Sequence, residues 1–231
     1  MRQLFPEPLD EVDLAAAYGS PPAVRVNMIA SLDGASAVSG LSGGLGGPAD
    51  KVVFAAIRGQ ADAILVGAGT MRAEGYGPSR VGPIAVVTRS CRLDWSSRFF
   101  TQAVHRPIVV TVASAGAGEQ NRAAEVADVL LAGQSDVDVA DAIRQLHGRG
   151  FRHLLVEGGP SLNGDVAATG LVDELCLTVS PTLVGGDARR IVSGAGPLEP
   201  LPMEPVHMLE QDGYLFLRYR LRHHLPRPPS S

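Results

Sequence analysis

Apolar and polar positions along this chain follow two periods. Short apolar runs at Ala63–Val66, Ile84–Thr88, Ile108–Val112, Val129–Leu131 and Leu154–Val156 have the length of strands, and Ala63–Val66 reads as one buried on both faces. Val24–Ala30 reads as the first strand, and Glu174–Val179 is dense in β-formers. Between these runs the apolar residues move to a helical spacing. Val53, Phe54 and Ile57 follow Pro48 and Asp50; Val139, Ile143 and Leu146 fall at i, i+4 and i+7; Leu162, Val166 and Ala167 follow Pro160. Val206–Leu209 and Tyr214–Tyr219 predict a hairpin turned at Gln211-Asp212-Gly213.

Strands and helices alternate to about residue 170, which predicts an α/β fold with a mainly parallel sheet covered on both faces. The terminal hairpin would add antiparallel strands at one edge. No linker or internal repeat divides the chain, so residues 1–231 are expected to form a single domain. Residues 1–22 read as a proline-rich extension with one short helix around Asp10–Tyr18, and a Gly/Ser-rich loop runs from Gly34 to Gly47. The tail from His223 to Ser231 is expected to be disordered.

Two strand-to-helix junctions carry the candidate chemistry. After Leu154-Leu155-Val156 comes Glu157-Gly158-Gly159-Pro160-Ser161-Leu162; after Ala63–Val66 comes Gly67-Ala68-Gly69-Thr70. Glycines at such points let a ligand approach the backbone, and the helix start offers unpaired N–H groups and a positive dipole end, which suit a phosphate. Either junction alone could be a plain tight turn. Two together favour a nucleotide-sized anion, and both fall beyond the C-terminal ends of strands, where sheets of this class bind ligands. The second is not the dinucleotide fingerprint of a Rossmann fold, since Arg72 stands where the third glycine would be.

Composition narrows the options. Of 231 residues, 45% are hydrophobic and 19% charged, as in an ordinary globular chain, and the net charge of −4 argues against nucleic acid as a partner. Any anion site must therefore be local. Lys51 is the only lysine. Cys91 and Cys176 make neither a disulfide framework nor a metal cluster, and Cys176 is expected in the core. No signal-peptide pattern and no apolar run long enough to span a bilayer are visible, so a cytoplasmic location without membrane contact is expected. The histidines are scattered, and His223-His224 fall in the tail.

Ser31-Leu32-Asp33-Gly34, Ala63–Thr70, Glu157–Leu162, Leu171–Leu175 and Gly185-Gly186-Asp187-Ala188-Arg189 occur in an order that resembles the reductase domain of bacterial riboflavin biosynthesis, the RibD C-terminal domain, over roughly Val24 to Leu221. The resemblance implies a dihydrofolate-reductase-like three-layer αβα fold, NADPH as cofactor and a homodimer. It also implies reduction of 5-amino-6-(5-phosphoribosylamino)uracil to its ribitylamino form by hydride transfer. On that resemblance Glu157, Gly158, Gly159, Ser161, Leu162, Gly67, Gly69 and Thr70 would hold the cofactor. Thr88, Arg89 and Ser90 would take its 2′-phosphate, where the arginine fork suits a phosphate, although the same residues could form a solvated turn. Ala30, Ser31 and Asp33 would meet the nicotinamide, with Asp33-Gly34 equally able to serve as a turn device. Ser42 and Arg58 match substrate-phosphate positions.

The resemblance has gaps. Gly44 and Gly46 stand where the family usually carries a tryptophan and a hydroxyl residue. The stretch Arg72-Ala73-Glu74-Gly75-Tyr76 replaces a Leu-Ala-Asp-Asp-Pro motif, with Glu74 in place of the first aspartate. Asp50 is a carboxylate where the family has none; in dihydrofolate reductases a carboxylate on that helix binds the pterin's amino-pyrimidine edge. Its simpler role would be to stabilise the helix dipole, by about 0.3–1 kcal/mol. Asp33, Asp50 and Glu74 are the candidate catalytic residues, with no metal. A dihydrofolate or pterin reductase and an NADPH-binding protein without turnover are the alternatives.

Overall fold

The computed structural model describes residues 1–19, 21–194 and 200–222. The tail expected to be disordered lies outside these residues. Among them the chain forms β1 (Arg2–Phe5), α1 (Leu14–Tyr18), β2 (Val24–Ser31), α2 (Pro48–Arg58), β3 (Ala63–Gly67), α3 (Ala68–Ala73), β4 (Ile84–Val87), α4 (Arg98–Thr101) and β5 (Ile108–Thr111). There follow α5 (Ala117–Val126), β6 (Asp128–Leu131), α6 (Val139–Gly148), β7 (Leu154–Val156), α7 (Pro160–Ala168), β8 (Glu174–Ser180), β9 (Met203–Gln211) and β10 (Tyr214–Leu221).

The strands make one ten-stranded sheet in the order β1-β9-β10-β8-β2-β7-β3-β4-β5-β6. From β8 to β6 every neighbouring pair is parallel, and β10, β9 and β1 close the other edge antiparallel. Side chains on the parallel strands alternate between two cores. Ile64, Val66, Ile84, Val86 and Val109 face a layer containing Val53 and Ile57 of α2, Phe99 and Phe100 of α4, and Ala123 of α5. Ala63, Leu65, Ala85, Ile108 and Val110 face Ile143 and Leu146 of α6 and Leu162 and Val166 of α7. Both sides of these strands are thus buried, which is why they read as continuous apolar runs. Proline opens both α2 and α7, where its missing N–H has no helical partner to lose.

The hairpin turns at Asp212-Gly213, with φ of 55° and 81°, the two left-handed positions a tight two-residue turn requires. The N-terminal segment differs from expectation: its helix is confined to Leu14–Tyr18, and Arg2–Phe5 is a strand. This strand pairs with β9, and Arg2 bonds Glu210 at 2.6 Å. It is an edge strand, mostly exposed, so it carries no apolar alternation by which to recognise it.

A buried polar cluster lies between the antiparallel strands and α1. Glu174 accepts from Arg25 at 2.7 Å and from Arg218 at 2.6 Å, and Arg218 also holds the Gly19 carbonyl at 3.1 Å. Beside it His207 packs edge-on to Tyr18, with ring centroids 4.9 Å apart, and its Nε2 has no hydrogen-bond partner among the described residues. Burial, then the charges of Arg218 and Arg25, pull the His207 pKa from 6.5 down to about 4. In that interval the unfolded chain binds the proton and the folded one does not. Stability contributed here is complete above pH 6.5 and falls as the pH drops toward 4, by roughly 3 kcal/mol at most. Urea unfolding at pH 7 and at pH 4.5 should show a steeper loss for the parent than for His207→Phe; parallel losses in the two proteins would refute this.

Candidate active site

The C-terminal ends of β2, β3 and β7 open into a cavity of about 730 Å³. Its walls are Asn27, Met28 and Ile29 of β2, the 36–46 loop, the first turns of α2, the two glycine junctions and residues 184–189. The junctions lie side by side because β3 and β7 are parallel neighbours. The Gly67 N–H donates to the Gly158 carbonyl at 2.7 Å, tying one to the other. A Cβ on Gly159 would stand 2.5 Å from the Thr70 hydroxyl oxygen, so glycine is what lets the two turns meet. Gly158 adopts φ +77°, and a Cβ there would also press on the Met28 sulfur at 3.1 Å. The Gly158–Gly159 peptide is cis. No side chain caps the first turn of α7 or of α3. Gly69, Thr70, Glu157 and Gly159 line the cavity, whereas Gly67 and Gly158 sit behind them; Ser161 is exposed and the Leu162 side chain is in the core.

The three candidate carboxylates have different surroundings. Asp50, in the first turn of α2, lines the cavity. Burial pushes its pKa up, and the Thr178 hydroxyl of β8 draws it part of the way back. Glu74 ends α3, also lines the cavity, and accepts the Ser42 N–H at 2.7 Å, so it fixes the glycine-rich loop across the opening. Asp33 is outside the lining. It accepts the Ser31 hydroxyl, the Gly185 N–H at 2.6 Å and the Val184 N–H at 3.2 Å. Those bonds lower its pKa to about 2, with the Ser31 hydroxyl as the largest cause. Asp33 thus pins the 184–185 turn to the end of β2. Ala30 and Ser31 are buried, and Ser31 also accepts the Ala35 N–H at 2.9 Å.

Ser42 lines the cavity, but Arg58 does not. Two Arg58 nitrogens fork onto the buried Glu157 carboxylate, each at 2.7 Å, and the Tyr76 hydroxyl donates to the same carboxylate at 2.6 Å. The guanidinium carbon lies 4.4 Å from the Phe54 ring centroid and 5.6 Å from that of Tyr76. Despite desolvation the Arg58 pKa is raised by Glu157, and that of Tyr76 is raised by burial and the same carboxylate.

A second, shallower depression of about 480 Å³ lies beyond β4, β5 and β6. Arg89 and Ser90 line it, together with Arg92, Ser114 and Ser135; Thr88 is buried behind them. Arg89 reaches Asp136 at 3.2 Å, both side chains being largely exposed. Sequence reasoning assigned no site role to Asn27, Lys51, Tyr76 and Arg189, which line the main cavity, or to Arg92, Ser114 and Ser135 here. Most follow the C-terminal end of a strand, and that position was the available signal. Among the described residues no cluster of potential metal ligands is present, and no helix is long and apolar enough to cross a membrane.

The two depressions together suit an elongated anionic ligand passing the glycine junctions, with a partly shielded carboxyl at one end. Residues 22–216 match the family model described as the RibD C-terminal domain. The chain is 33% identical over 192 residues to the 2,5-diamino-6-ribosylamino-4(3H)-pyrimidinone 5′-phosphate reductase of Methanothermobacter thermautotrophicus, covering 76% of this chain and 85% of that one. Among solved structures, a pyrimidine reductase-like protein from Corynebacterium diphtheriae is similar at a TM-score of 0.79 and 26% identity, over 88% of this chain and 93% of that one. A dihydrofolate reductase from Enterococcus faecalis shares the fold at a TM-score of 0.51 and 11% identity, over 88% and 98% of the two chains.

Proposed function

This chain belongs to the RibD C-terminal domain family, and on that premise we propose that it is a pyrimidine reductase of the riboflavin-pathway type, using NADPH. The observation that carries this reading is the pair of glycine junctions, bonded Gly67 to Gly158, opening onto a cavity that also contains Asp50. The fit to the cofactor rests on space and polarity. A Cβ on Gly159 would fill the gap beside Thr70, and the start of α7 lacks a side-chain cap, so its N–H groups suit a diphosphate. Arg89, Ser90 and Arg92 suit the 2′-phosphate in the shallower depression. When bound, the nicotinamide supplies the hydride.

The chain's own residues do the rest. Met28 and Ile29 give the cavity an apolar wall, Glu74 holds the Ser42 loop over it, and Asp33 holds the 184–185 turn. Asp50, whose pKa burial raises, is placed to hold and deliver a proton near the heterocycle. The Methanothermobacter relative is named for a substrate that retains a 2-amino group. A carboxyl accepts from such a group, so Asp50 favours the diaminopyrimidinone over the uracil expected from sequence. The same 2-amino-4-oxo edge occurs in pterins, which makes pterin reduction the second reading. We take residues 1–231 as one reductase domain, working as a homodimer in the cytoplasm; the family resemblance supports the dimer.

Oxidation of NADPH by the purified protein, followed at 340 nm, tests this. The acceptors are the diaminopyrimidinone ribosyl phosphate, its uracil counterpart and dihydrofolate, with NADH run beside NADPH. Turnover should be fastest with the diaminopyrimidinone and with NADPH. Turnover of dihydrofolate alone would make the second reading the function, and tight NADPH binding without oxidation of any acceptor would refute both.

A further inference from the structure

We propose, on the reductase reading above, that Lys51 and Arg189 grip the 5′-phosphate of the substrate at the mouth of the main cavity. The basic residue expected there from sequence, Arg58, is already engaged. Two of its nitrogens are bonded at 2.7 Å to the buried Glu157 carboxylate, and its plane lies against Phe54. The pair is neutral as a unit, and drawing a phosphate dianion to it would mean breaking a buried ion pair.

Lys51 and Arg189 are different. Both line the cavity, both are exposed, and neither side chain makes an ion pair or hydrogen bond with any described residue. Their backbones, by contrast, are anchored. The Lys51 N–H donates to the Gly47 carbonyl at 3.1 Å in the first turn of α2. The Arg189 carbonyl accepts the Ser36 N–H at 2.9 Å and the Ser36 hydroxyl at 2.8 Å. Two free cations are therefore presented to one cavity from two fixed walls. Of the remaining charged lining residues, Glu157 is already neutralised by Arg58, and Asp50 and Glu74 are acidic groups that offer a phosphate no attraction, so these two cations are its favourable partners among the lining residues. An ammonium acts as a compact point charge and a guanidinium as a two-pronged donor, a combination suited to a terminal phosphomonoester.

Because Lys51 is the only lysine, its amine can be followed alone. The intact protein is treated with an amine-reactive ester, and the Lys51 peptide is quantified by mass spectrometry. Millimolar ribose 5-phosphate should slow labelling, whereas ribose should not. Equal protection by both, protection by neither, or equal protection by NADP⁺ would overturn the assignment. Steady-state kinetics give the second arm. In Lys51→Met and Arg189→Met, the kcat/KM preference for the ribosyl phosphate over its dephosphorylated nucleoside should fall roughly 10–100-fold, the range for losing a hydrogen bond to a charged group. Lys51→Arg should retain most of the preference. An unchanged ratio would overturn the proposal. If the parent protein turns over neither compound, the reductase reading fails by itself, and the labelling result still decides whether a phosphate sits at Lys51.

Discussion

Arg58→Ala is expected to lower the unfolding free energy by about 3–5 kcal/mol, the usual effect of removing one partner from a buried ion pair. The Glu157 side chain is only 2% exposed, and its two oxygens receive both Arg58 nitrogens and the Tyr76 hydroxyl. Without the guanidinium a buried carboxylate would remain with the Tyr76 hydroxyl as its one side-chain donor among the described residues. Arg58→Lys should fall between the two, because an ammonium cannot fork onto both oxygens. Arg58→Met combined with Glu157→Gln should recover much of the loss, since it removes both charges together. Urea unfolding of the four proteins measures this, and a loss below about 1 kcal/mol in Arg58→Ala would refute the account. The effect should reach the cofactor as well, because Glu157 is joined directly to Gly158 and the Gly67–Gly158 bond holds the two junctions together.

The same ion pair illustrates where a sequence stops being informative. Strands, helices and the glycine junctions were legible because their signals are local: an apolar run, a proline at a helix start, two glycines between a strand and a helix. The expectation of a parallel sheet put both junctions on one edge, but that they lie side by side depends on β7 pairing with β3, which no local signal gives. What a side chain is bonded to is not local. Arg58 matched a phosphate-binding position, yet its partner is 99 residues away in the chain. Glu74 holds the backbone of Ser42, and Asp33 holds that of Gly185, so two residues singled out as catalytic candidates from sequence act on loops in this structure. Lys51 and Arg189 were given no role from sequence for the opposite reason. Each is an ordinary surface cation in sequence, and only the fold shows that they share a cavity and lack partners. β1 was missed because an exposed edge strand among prolines has no pattern to display.

Asp50→Asn is expected to lower kcat/KM for the diaminopyrimidinone about 100-fold, at the lower end of what a general acid contributes. Two effects oppose each other at this carboxyl. The first turn of α2 favours a negative charge, as does the Thr178 hydroxyl, but burial prevails and the pKa is raised. Its Oδ2 lies where a Cβ on Gly46 would stand 2.9 Å away, so the glycine leaves room for the carboxyl. A reaction that takes its proton from Asp50 must slow as the pH rises through that raised pKa, and the Asn variant should lose this dependence. Asn also turns an amide N–H toward a substrate amino group that the carboxyl would accept from, so the loss should be smaller for the uracil substrate. Stability should move the other way. With a raised pKa the folded protein binds more protons than the unfolded chain across that interval, so ionised Asp50 destabilises the fold as the pH rises. At neutral pH the Asn variant should therefore be at least as stable as the parent. It should also bind NADPH equally well, as measured by fluorescence titration. Activity within about threefold of the parent, or a retained pH dependence, would remove Asp50 from the mechanism. Lower activity together with lower stability would make it a structural residue instead.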